Sequence, residues 1–101
     1  MRFSVKVSFL VEAGNHAAKD GFKAIESILQ QQKPEAAYFI AENGKRTAIL
    51  ILNMNEASEI AAIAEPWFLA LSAAVEVTPV MLPEDLQKAA PAIAEAVKKY
   101  G

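Results

Sequence analysis

Apolar residues in this chain recur with period two, then with a period near 3.6, and that switch happens twice. Phe3, Val5, Val7 and Phe9 alternate with Ser4, Lys6 and Ser8, which predicts a first strand with one core face and one polar face. From Asn15 to Gln32 the period changes. Ala18, Phe22, Ile25, Ile28 and Leu29 fall at helical spacing against Lys19, Lys23, Glu26 and Gln30, predicting one helix capped by Asn15 and ended by Lys33-Pro34. Asn43-Gly44 suits the two positive-φ positions of a type I′ turn, so Ala36 to Glu42 and Arg46 to Asn53 are predicted to pair as a hairpin. Asn55 is the expected cap of a second helix whose apolar stripe is Ile60, Ile63, Ala64, Trp67 and Leu71. Pro66 removes a backbone donor from it, so a kink, or two short helices meeting near Glu65, is expected.

Val75-Glu76-Val77-Thr78 alternates again as a fourth strand, and Pro79 near its end suits an edge position. The last segment, Pro83 to Tyr100, has Pro83, Glu84 and Asp85 where a helix starts and Lys98 and Lys99 where one ends. Its expected buried face is Leu86, Ala90, Ile93, Val97 and Tyr100, with a bend or break at Pro91.

Strand, helix, strand, strand, helix, strand is the ferredoxin-like order, so the fold class expected is α+β. It is a βαββαβ unit with an extra C-terminal helix, a four-stranded antiparallel sheet, and both crossover helices on one face. The third strand, Thr47-Ala48-Ile49-Leu50-Ile51-Leu52, is apolar on both faces and needs cover on both. One layer of helices covers one face. A second copy of the chain is the expected cover for the other, making a homodimer through the open sheet face.

At 101 residues, the chain is expected to form one domain over residues 1–101, too short for separate catalytic and binding units. It is 53% hydrophobic and 22% charged, a balance that favours hiding apolar surface in an oligomer. The net charge of −2 and the scattered Lys and Arg argue against a nucleic-acid footprint or a polybasic membrane anchor. Cysteine is absent, which removes disulfides, thiolate metal sites and cysteine nucleophiles. The N-terminus lacks a signal-peptide pattern and no apolar run has the length of a membrane span, so the expected location is cytoplasmic. No glycine-rich phosphate loop or nucleophile elbow is present, and no cofactor is implied.

Glu65-Pro66-Trp67-Phe68, and the run Val75-Glu76-Val77-Thr78-Pro79-Val80-Met81-Leu82-Pro83-Glu84-Asp85-Leu86, are similar to the closing half of a group of small uncharacterised bacterial proteins. These resemble the dimeric α+β barrel superfamily, whose open sheet faces meet across a two-fold axis. Muconolactone isomerases, antibiotic-biosynthesis-type monooxygenases and stress-responsive barrel proteins are among its members. The resemblance in element order spans the chain and implies a homodimeric barrel. The catalytic patterns of the enzymatic members have no match here, so no activity carries over.

The candidate site follows from the alternation. If Phe3, Val5, Val7 and Phe9 face the helices, Ser4, Lys6 and Ser8 face the space between two sheets, and Glu76 and Thr78 join them from strand four. Lys6 and Glu76 are expected cross-strand neighbours able to shift one another's protonation. A structural ion pair at a dimer seam is the simpler role for them. Tyr38 shares a face with Ile40, Thr47 and Ile49 if the turn sets the register, and its hydroxyl can orient a ligand or stay wet above a packed ring. His16 is expected to be solvated near a helix start, and Trp67 to pack in the core. The resulting expectation is a small barrel protein binding a partly apolar molecule between its sheets. The alternatives are a structural or interaction module without a ligand and a cofactor-free monooxygenase- or isomerase-like enzyme.

Overall fold

The computed structural model describes residues 1–101. Its elements run β1 (Arg2–Ser8), α1 (Val11–Lys19), α2 (Lys23–Gln32), β2 (Ala36–Glu42), β3 (Lys45–Asn53), α3 (Glu59–Leu71), β4 (Ala74–Pro79) and α4 (Pro83–Tyr100). The strands form one antiparallel sheet of order β2-β3-β1-β4, the ferredoxin-like α+β arrangement with an additional C-terminal helix. Strand three is central, and β4 is an edge strand closing on Pro79, opposite Phe3. At the hairpin, Asn43 and Gly44 take φ of 53° and 73°, and the turn pairs Glu42 with Lys45. Asn and Gly tolerate that left-handed backbone, which is why the chain reverses there and the register is fixed.

The core lies on one face of the sheet. Val5, Val7, Ala48, Leu50 and Leu52 point down from the central strands onto Ile25 and Ile28 of α2 and Trp67 and Leu71 of α3. Trp67 is fully buried and stacks on Phe9 with ring centroids 6.0 Å apart. Its indole N–H donates to Gln32 Oε1 at 3.2 Å, while Gln32 Nε2 donates to the carbonyl of Ile63 at 2.9 Å. A buried indole needs such a partner, and this one ties α2 to α3.

The single helix expected over Asn15 to Gln32 is two helices. Gly21 (φ 68°) and Phe22 (φ 58°) are left-handed. The Gly21 N–H bonds the carbonyl of Ala18 and the Phe22 N–H that of Ala17, the paired bonds of a Schellman motif. Gly21 therefore stops α1 instead of weakening the middle of a longer helix. The helix also begins earlier, at Val11, so Asn15 lies inside it and accepts a hydrogen bond from Arg46 Nη1 at 2.9 Å. His16 sits in its last turn.

Three further expectations change. The cap at Asn55 is replaced by a turn, after which α3 starts at Glu59 and reaches Leu71 as one helix despite Pro66. Pro91 does not interrupt α4, which is helical from Pro83 to Tyr100. The stripe Leu86, Ile93, Val97 and Tyr100, expected to be buried, is exposed, and no residue of α4 is buried. The reason is placement. The helix leaves β4 and projects from the body, stretching the molecule to 57 Å and its radius of gyration to 17.1 Å, against about 13 Å for a compact chain of this length.

Candidate functional site

Alternation along β1 sends Ser4, Lys6 and Ser8 to the face of the sheet opposite the core, and each is half-buried there. The register assembles the rest. Lys6 lies directly across from Glu76 on β4 and from Ile49 on β3, while Ile49 is paired with Tyr38 on β2. Ser4 is opposite Thr78 and Ile51, and Ser8 is opposite Thr47, itself paired with Ile40. All six residues expected at the site, Ser4, Lys6, Ser8, Tyr38, Glu76 and Thr78, therefore share one face.

The ammonium of Lys6 does not turn to Glu76. It donates to the carboxylate of Glu42, at the end of β2, forming an ion pair in which both side chains are about one-third exposed. Thr47 lies between the two in the register and is 1% exposed, its hydroxyl donating to the carbonyl of Lys45 at 3.2 Å. The hydrogen bond to Glu42 raises the Lys6 pKa above its ordinary value; desolvation opposes this, and the field of Glu76 acts in the same direction as Glu42. Lys6 thus keeps its proton at neutral pH and is no general base there. Glu76, exposed and in no ion pair, is the carboxylate left over. Glu42 was readable from the same alternation that selected Tyr38, since Tyr38, Ile40 and Glu42 lie two residues apart on one strand.

A second polar cluster closes the other end of this face. Arg2 Nε donates to Glu35 Oε2 at 2.9 Å, and Asn53, opposite Arg2, also donates to Glu35. These contacts, that of Arg2 foremost, hold the Glu35 carboxyl below its ordinary pKa. Between the two clusters runs an apolar band of Ile49, Ile51, Ile40 and Tyr38, the last 60% exposed. The face is therefore greasy in the middle, with Lys6 paired to Glu42 and the unpaired carboxylate of Glu76 beside it at one end. It suits a ligand with an apolar body and a neutral or cationic polar group, because Lys6 is already neutralised.

On the other side of the sheet, an open cavity of about 570 Å³ lies between α2 and the β2 edge. Phe9, Phe22, Ile25, Leu29 and Phe39 line it, with Arg46 at its rim. It exists because the helices do not extend over β2, leaving Phe39 55% exposed. The sequence pattern did not single it out, since it depends on how far the helix layer reaches. His16 and Trp67 belong to neither site; no three His, Asp or Glu side chains converge as a metal site would require, and no helix is long and apolar enough to cross a membrane.

A family model described as "Domain of unknown function (DUF3303)" matches residues 1–94. No curated protein matches the chain.

Proposed function

The chain belongs to the DUF3303 family of domains of unknown function, and from its geometry we propose that it is a homodimeric α+β barrel that binds a small, partly apolar molecule between two facing sheets. One observation carries this reading: the sheet face opposite the core combines exposed Tyr38 and Ile40 and half-buried Ile49 and Ile51 with the polar group Lys6, Glu42 and Glu76. A bare apolar sheet face is a liability that a second copy removes, and facing sheets lie about 10 Å apart with room for side chains or a flat ligand. Tyr38 and Glu76 supply the unengaged hydrogen-bonding groups, and Ser4, Ser8 and Thr78 line the space beside them.

A second reading has its own support. The Lys6 and Glu42 charges pair within one chain, which lets two such faces pack together without a guest. Nile red, a neutral apolar dye, separates the two. The ligand reading expects saturable uptake by the dimer, weakened several-fold by Tyr38→Ala and unchanged by Phe39→Ala on the opposite side of the sheet. A dimer that takes up no dye, or loses it only with Phe39→Ala, contradicts the ligand site and leaves the packed seam.

A further inference from the structure

We propose that α4 is an exchanged arm, its apolar stripe seated in the cavity between α2 and β2 of a second copy of this chain. The inference rests on the homodimer proposed above and adds a second contact to it. Two surfaces of the same chain lack cover. One is the helix stripe of Leu86, Ile93, Val97 and Tyr100, exposed by 52% to 82%. The other is the cavity walled by Phe22, Ile25, Leu29 and Phe39. At 100° per residue the stripe is narrow, and Ala89, Ala94 and Ala96 flank it while Lys88, Glu95, Lys98 and Lys99 fall on the far side. Alanine flanks let a helix approach a groove closely.

Within one chain α4 leaves that cavity uncovered, none of its residues being buried or lining it. The cavity is at the β2 edge of the sheet and α4 starts beyond the β4 edge, three strand spacings or roughly 14 Å away, with α1 and α3 on the helix side of the sheet between them. The connection Val80-Met81-Leu82 spans at most about 10 Å, and its first residue is tied to β1 through the Val80 N–H and the Arg2 carbonyl.

A partner meets the requirement by symmetry. If two sheets face each other about a two-fold axis parallel to the strands, the β4 edge of one lies against the β2 edge of the other. At 18 residues α4 is about 27 Å long, enough to cross the roughly 10 Å gap between sheets and carry Ile93 and Val97 to the partner's cavity.

Area points the same way. Two four-stranded faces of seven-residue strands bury only about 900 Å² in total, near the lower limit for a specific interface. The docked half of each helix, about 15 Å long, adds roughly 600 Å² over the pair, bringing the interface into the size range of a stable dimer.

The absence of cysteine allows a direct test on the full chain. Val97→Cys protein is mixed with Phe39→Cys protein, and in parallel with Tyr38→Cys protein, whose residue adjoins Phe39 but faces the opposite side of the sheet. After oxidation, non-reducing electrophoresis is expected to show a species of twice the chain mass with Phe39→Cys and little with Tyr38→Cys. A cross-link to Tyr38→Cys instead, or to neither, in protein that sediments as a dimer overturns the exchanged arm and leaves the barrel standing. A chain that sediments as a monomer overturns both. A chain carrying Val97→Cys and Phe39→Cys together that closes on itself within one molecule overturns the exchange as well.

Discussion

At the residue scale, carboxylates do the organising. Glu59, the first residue of α3, reaches back to accept the backbone N–H groups of Asn55 and Glu56, the latter at 2.7 Å, and these bonds hold its pKa below the ordinary value. Glu35 is held down by Arg2. A carboxylate whose pKa is depressed by folding adds stability that is complete above its unfolded pKa, about 4.3 for Glu, and is lost as the pH falls through the lower folded value. Urea midpoints are therefore expected to drop from about pH 5 toward pH 3, and to drop less steeply in Glu35→Gln/Glu59→Gln. Equal slopes in the two proteins would contradict the assignment. The raised pKa of Lys6 has the opposite sign, with its contribution intact through neutrality and lost only in strong alkali. The positions of Lys6 and Glu76 opposite one another were legible from alternation, and so was the face of Glu42, but not that Lys6 pairs with Glu42 in preference to Glu76. Register fixes which backbones are neighbours, but the Lys6 side chain reaches diagonally across β3 to Glu42, four residues beyond its register position at Tyr38 on β2.

Elements were legible where two local signals agreed. Asn43-Gly44 and the flanking runs of Ala36 to Glu42 and Arg46 to Asn53 named the hairpin, and its register followed from the turn. Pro79 and the two-faced apolar character of strand three put β4 at an edge and β3 in the centre. The break between α1 and α2 was not legible. The helical spacing of Ala18, Phe22 and Ile25 continues through it, and a glycine inside a helical pattern does not by itself show whether it has taken a left-handed φ. Gly21→Ala tests the correction. At φ 68°, with open space around the position, the added Cβ meets no neighbour and the cost is backbone strain alone, a loss of about 1 kcal/mol in a denaturation experiment. A gain in stability would mean that the residue prefers a continuous helix. For α4, periodicity identified the stripe correctly and misjudged its cover, since an amphipathic pattern says that a face needs burial and not which chain provides it.

At the scale of the whole molecule, the chain is a core on one face of a sheet, with greasy surface left on the other face, in the cavity beside β2, and along a projecting helix. Exposed large apolar residues scattered singly need no explanation, but three contiguous regions on one small protein do. Under the two-fold axis proposed above, these three regions would cover one another in a homodimer. Sedimentation equilibrium of the full chain at micromolar concentration tests that claim most directly. A homodimer gives twice the 10.9 kDa chain mass, falling toward one chain when Ile49→Lys places a charge in the apolar band of the open face. A single-chain mass for the unaltered protein, unchanged as its concentration is raised, would contradict it.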